Sequence, residues 1–241
     1  MKIKKKITKR VLITGASRGI GKEIAKKYFI EGYYVIGTAT TKKSYKNDFC
    51  HEWHYVDFSN QTKIINFLKK IKSIKPDILI NNAGINANNP FERINYETFK
   101  KIHNVNLFAP FLICQYSIPY MKKRKWGRIV NIASIWSKKS RKYRAAYASS
   151  KFGLDGLTIS IAAEYTSMGI LANCVSPGFI NTELTQKILG KKGIEELMSE
   201  VPINRLGKPN EIAELVFWLG SEKNTFISAQ NIAIDGGFTS V

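Results

Sequence analysis

Residues Thr14–Gly21, TGASRGIG, constrain this chain more than any other stretch. An apolar run, Arg10–Thr14, precedes them. A segment of helical period, Gly19–Glu31, follows, with Ile20, Ile24 and Tyr28 spaced by four on one face. Gly15, Gly19 and Gly21 let the main chain turn tightly and approach an anion with no Cβ in the way. The helix behind them points its free N–H groups at the same place. Strand, glycine turn and helix in this order predict a dinucleotide pyrophosphate site. A glycine turn alone is equally the mark of a tight connection, so the rest of the chain has to carry the assignment.

The rest of the chain repeats the alternation. Strands are predicted at Tyr34–Thr38, Trp53–Asp57, Asp77–Asn81, Arg128–Ile132, Leu171–Val175 and Asn231–Ile234. Helices are predicted at Asn60–Ile74, Tyr96–Lys122 with a bend at Pro110, Arg144–Met168 and Pro209–Leu219. The middle of Asp77–Asn81 is continuously apolar, as in a strand buried on both faces. The fold class that follows is α/β, a Rossmann-type doubly wound parallel sheet with helices on both faces, in one domain over residues 1–241. Ile180–Leu206 reads as the least regular part and follows a strand end, where such folds place ligands.

Composition narrows the function. With 241 residues and 44% hydrophobic content, one substantial core is expected. No run of about 18 apolar residues suggests a membrane span, and the charged start MKIKKKITKR has no apolar run behind it to read as a secretory signal. Cys50, Cys114 and Cys174 are scattered and odd in number, which fits a reducing cytoplasm. The net charge of +20 is concentrated at the N-terminus, at Lys122–Lys125 and at Lys138–Arg144. It reads as a solvated lysine-rich surface, as steering for an acidic substrate or carrier, or as a phosphate-binding face. No base-reading motif is present, so nucleic acid is not the expected partner. Cys50, His51 and His54 do not make a metal site, because at strand spacing His51 faces away and two ligands are too few.

Further segments stand in order behind the glycine turn: NNAG at Asn81–Gly84, Asn106 in NVNL, Ser134 in NIAS, YASSK at Tyr147–Lys151, and Pro177–Gly178 with Thr182 beyond. Together they resemble the short-chain dehydrogenase/reductase family from about Lys9 to Gly237. Within the family, VIGTAT at Val35–Thr40, the stretch Ser176–Ile180 and Val201–Ala213 are most similar to bacterial 3-oxoacyl-(acyl-carrier-protein) reductases. The resemblance implies a nicotinamide-dependent oxidoreductase that interconverts a carbonyl and a secondary alcohol.

Tyr147 and Lys151 lie one helical turn apart on one face. A free tyrosine, with a pKa near ~10, is a poor base at neutral pH, and a neighbouring ammonium favours its phenolate. The pair is therefore expected to act as an acid/base group. Taken alone, it reads equally as a packed tyrosine beside a surface lysine. The resemblance makes Tyr147 the proton donor in reduction, Lys151 the group that also holds the nicotinamide ribose, Ser134 a donor to the substrate oxygen, and Asn106 the residue that helps place a relay water. It also places Gly15, Ser17, Arg18, Gly19, Ile20, Gly21 and Thr38 on the cofactor, with Asp57 and Phe58 at the adenine. Asn82, Ala83 and Gly84 would line the adenosine side. Pro177, Gly178, Ile180 and Thr182 would face the nicotinamide.

No Asp or Glu lies between Glu31 and Asp48, where NAD-selective sites carry an acid. Arg18 and Lys42 or Lys43 can pair with a 2′-phosphate, so NADP (NADPH) is expected over NAD. The substrate is expected to be a small-molecule or carrier-protein-linked carbonyl. Arg124 and Arg128 are candidate contacts for an acidic carrier. Thr166–Gly169 lacks an arginine that such carrier-linked reductases often have, and the loop Ile135–Ala146 is more charged than theirs. That loop leaves open a sugar, nucleotide-sugar, polyol or other small polar carbonyl as substrate. A non-catalytic dinucleotide-sensing or nucleic-acid-binding protein is the remaining alternative. Family likeness implies a homodimer or homotetramer.

Overall fold

The computed structural model describes residues 9–42 and 47–241. Seven strands form one all-parallel sheet: β1 (Arg10–Ile13), β2 (Tyr34–Ala39), β3 (Glu52–Tyr55), β4 (Ile78–Asn81), β5 (Gly127–Ile132), β6 (Ile170–Pro177) and β7 (Asn231–Ile234). Their spatial order is β3-β2-β1-β4-β5-β6-β7. The order reverses between β1 and β4, and the C-terminal ends of these strands form the crevice in which such sheets bind ligands.

Alternation along each strand divides the core. Val11, Ile13, Val35, Ile78, Ile80, Val130 and Val175 face one side and pack on α1 (Gly19–Ile30) and α7 (Pro209–Gly220) through Ile24, Tyr28, Ile212, Val216 and Phe217. Leu12, Ile36, Leu79, Ile129 and Ala172 face the other and meet α2 (Gln61–Ile74), α4 (Ala109–Arg124) and α5 (Ala145–Tyr165). Each buried aliphatic chain contributes roughly 1.5–3 kcal/mol, and both faces are covered, as a parallel sheet requires.

Three expectations need correction. The segment Tyr96–Lys122 is not one helix bent at Pro110: α3 (Tyr96–His103) and α4 are joined by a π-helical turn, Asn104–Phe108. Pro110 sits in the first turn of α4, directly after that π-helical turn. Ile180–Leu206 is not irregular, since α6 (Glu183–Ser199) occupies most of it. Gly190, at φ 62° and ψ −176°, interrupts that helix and hides its period. Asp57 lies in the turn after β3 rather than within the strand.

Candidate active site

The glycine turn joins β1 to α1 at the C-terminal edge of the sheet. Gly15 and Gly19 have φ of +66° and +53°. A Cβ on Gly21 would lie 2.1 Å from the Gly15 carbonyl oxygen and 2.4 Å from Asn82 Nδ2. The turn is pinned from both sides. Gly15 N–H donates to Thr38 Oγ1 (3.1 Å), while Asn82 Nδ2 donates to the carbonyls of Thr14 and Gly15 (3.0 Å each). Thr14 Oγ1 in turn accepts from the N–H groups of Asn82 and Ala83. The side chains of Thr38 and Asn82 therefore shape the cradle. No side chain caps the start of α1. Its first N–H groups and the Cβ-free floor suit a pyrophosphate. Sequence reasoning missed Asn47, whose Nδ2 holds the Ala16 carbonyl at 2.9 Å; nothing in its local pattern marks it.

A second cluster forms where β4, β5 and α5 meet. Ser134 follows β5 and caps a short 3-10 turn, Ile135–Ser137, its Oγ accepting from Trp136 N–H at 3.2 Å. It also lies beside the Tyr147 phenol and favours its ionised form. Lys151 Nζ lies 5.7 Å from the Tyr147 ring centroid and donates to the Ile132 carbonyl at 2.7 Å. A Cβ built on Gly84 would stand 3.5 Å from Asn106 Oδ1 and 3.6 Å from Lys151 Nζ, so Gly84 borders this cluster.

Asn106 is fully buried inside the π turn. Its Oδ1 accepts from Ile85 N–H, and its Nδ2 donates to the Ile85 carbonyl and to Ser150 Oγ, at 2.9, 2.9 and 3.0 Å. The amide is spent on tying the loop after β4 to α5. A water placed here has to meet main chain.

Protonation departs from the simple pairing argument. Burial pushes the Tyr147 phenol up, opposed by the Ser134 hydroxyl and by the positive charge of Arg144. The opposing cation is Arg144, where the sequence pointed to Lys151. Burial pulls the Lys151 ammonium down to about 8.

The remaining residues are distributed around these two clusters. Ser17 and Ile20 are partly buried in the turn and in the first turn of α1, while Arg18 is exposed. Lys42 is exposed past β2, and Lys43 lies outside the described residues. Asp57 closes a tight turn by accepting from Ser59 N–H and Oγ. Those bonds and nearby lysines hold its carboxyl below its ordinary range against the upward push of burial. Phe58 is buried against Phe67, so its side chain serves the core and only its main chain is available to a ligand. Pro177 ends β6, and Gly178 N–H donates to the Ile234 carbonyl. Ile180 pairs with Gly207, and Thr182 caps α6 with its Cγ2 within 3.8 Å of a Cβ built on Gly19. The segment after β6 thus leans over the glycine turn.

Arg128 is no surface contact: it is buried, and its guanidinium donates to the carbonyls of Gly127, Gly169 and Asn224. Arg124 stays half exposed, beside Asp77 at 3.8 Å. Both lie toward the start of β5, at the opposite end of the sheet from Ser134. Cys50 packs its sulfur over Gly37, and His51 Nδ1 accepts from Val35 N–H. No helix among the described residues is long and apolar enough to cross a membrane.

Comparison with known proteins gives a consistent pattern. A family model described as enoyl-(acyl carrier protein) reductase matches residues 15–239. The 3-oxoacyl-(acyl-carrier-protein) reductase FabG of Buchnera aphidicola subsp. Schizaphis graminum is 38% identical over 244 residues, covering 98% of each chain. The solved structure of 4-hydroxyisoleucine dehydrogenase complexed with NADH superimposes with a TM-score of 0.90 at 33% identity, covering 97% of this chain and 100% of that one. ElxO with NADP bound gives 0.89 at 30% identity, covering 98% and 100%.

Proposed function

This chain belongs to the short-chain dehydrogenase/reductase family and is an NAD(P)-dependent oxidoreductase, and from that premise we propose that it is an NADPH-dependent 3-oxoacyl-(acyl-carrier-protein) reductase. The observation that carries the substrate class is the 38% identity to a FabG reductase across 98% of both chains.

The glycine turn and the open start of α1 fit the pyrophosphate, and the segment Pro177–Thr182 fits over the nicotinamide end. Bound there, the cofactor supplies a hydride to the carbonyl carbon. The chain's own residues do the rest. Ser134 donates a hydrogen bond to the carbonyl oxygen as negative charge builds on it. Tyr147 gives that oxygen its phenolic proton. Burial keeps the phenol protonated at neutral pH, the form that reduction needs. The Arg144 charge favours the phenolate left behind, and Lys151 holds the nicotinamide ribose in this reading. Asn106 is a positioning residue: it fixes Ile85 and Ser150 around Lys151. NADPH over NADH is supported by the acid-free stretch Gly32–Asn47 and by exposed Arg18 and Lys42.

An acidic carrier matches the +20 net charge. With Arg128 buried, its dock falls to exposed Lys138 and Lys142, on the loop between Ser134 and Tyr147. Exposed Phe108 and Phe111 near the start of α4 and Phe152 on α5 favour a homodimer or homotetramer. The free cysteines suit the cytoplasm. The test is turnover of an acetoacetyl thioester, on carrier and on a short thiol, beside keto-sugars and simple ketones, with NADPH and NADH in parallel. The reading expects the carrier thioester with NADPH to give the highest kcat/KM. Preference for a keto-sugar, or for NADH, would overturn it.

A further inference from the structure

We propose that Arg144 is a substrate-binding residue that reads a second oxygen, placed β to the carbonyl being reduced. The inference rests on the reading of Tyr147 as the proton donor. Arg144 immediately precedes α5, three residues and so about one turn before Tyr147. Its guanidinium lies over the Trp136 ring at 5.6 Å and donates from Nη1 to Asn88 Oδ1 at 2.7 Å. It therefore spans the loop after β4 and the loop after β5, the two walls between which Ser134 and Tyr147 sit. Trp136 is itself buried against Phe179 and Phe238, which makes a rigid shelf for the cation.

Arg144 is half-buried, yet neither of these partners is an acid. Among the described residues Glu200 pairs with Arg141, and no ion pair involves Arg144. The guanidinium has donors to spare, and they are open to solvent, where an incoming ligand can take them. When Ser134 and Tyr147 hold a 3-oxo group, the next oxygen of the acyl chain is two carbons away, and the Arg144 guanidinium, whose charge already acts on the Tyr147 phenol, is the donor proposed for it. A thioester carbonyl there accepts one hydrogen bond from the fork; a free carboxylate there accepts two.

The experiment compares wild type with Arg144→Ala and Arg144→Lys on an acetoacetyl thioester, on acetoacetate, and on cyclohexanone, which has no second oxygen. The readout is the ratio of kcat/KM for each β-oxo substrate to that for cyclohexanone. Arg144→Ala is expected to lower at least one ratio about 10- to 100-fold, mainly through KM, with Arg144→Lys recovering part of the loss. A larger fall for acetoacetate identifies a carboxylate as the ligand, and a larger fall for the thioester identifies its carbonyl. Unchanged ratios, including an equal loss on all three substrates, would overturn the proposal while leaving Tyr147 in place. If the wild type is inert on all three, the proposed function falls with it.

Discussion

Lys151 brings an amine into a place that water barely reaches; it is 3% exposed. Burial lowers its pKa from 10.5 in the unfolded chain to about 8. Between those values the unfolded state binds a proton that the folded state does not, so stability rises with pH across that window. Below about 8 the whole cost of the buried charge is present, roughly 3 kcal/mol at ~1.4 kcal/mol per pH unit. Lys151→Met removes the ionisable group. Its stability relative to wild type, measured by urea unfolding without cofactor, is therefore expected to be most favourable below pH 8 and to decline toward pH 10.5. A difference that stays flat with pH would mean that the amine pays no burial cost. This behaviour was only half legible in the sequence. The spacing of Tyr147 and Lys151 is visible there, but the depth of both groups is set by Ile132, Cys174 and the loop carrying Ser134, which are distant in the chain. Arg128 shows the same limit. A charged residue near the start of a strand reads as surface, yet its guanidinium is enclosed by the neighbouring Gly127 carbonyl and by two main-chain carbonyls from distant segments, Gly169 and Asn224.

At the scale of elements, the strand–turn–helix unit depends on space reserved for main chain. Gly21→Ala would place a methyl group against the Gly15 carbonyl and the Asn82 amide. The turn must open, at a cost of about 1–3 kcal/mol. NADPH affinity is expected to fall at least about tenfold, the equivalent of ~1.4 kcal/mol, in a fluorescence titration. An unchanged affinity would show that the cradle is not where the pyrophosphate sits. The sheet itself was legible almost strand by strand, because strands buried on both faces carry unbroken apolar runs and their glycine and proline boundaries are local. The π turn at Asn104–Phe108 was not. Its cause is the bond pattern of Asn106 to Ile85 and Ser150, which no periodicity in Tyr96–Lys122 records. Helix α6 escaped because Gly190 and lysines break its apolar stripe.

For the whole molecule, the seven-stranded parallel order brings five separated segments to one edge: the glycine turn, the loops after β4, β5 and β6, and the start of α5. Each is short and ambiguous alone. Their convergence is what brings Ser134, Tyr147 and Lys151 to the same edge as the glycine turn, the proposed pyrophosphate cradle. The proposed chemistry turns on a proton passing from Tyr147 to a carbonyl oxygen. Its most direct test is the rate of NADPH oxidation, followed at the nicotinamide absorbance, with an acetoacetyl thioester and wild type against Tyr147→Phe. The side chain differs by one hydroxyl, so the fold and NADPH binding should persist. The account expects kcat to fall about 10²- to 10⁴-fold, the scale of a lost general acid. Equal turnover by the two proteins would contradict it.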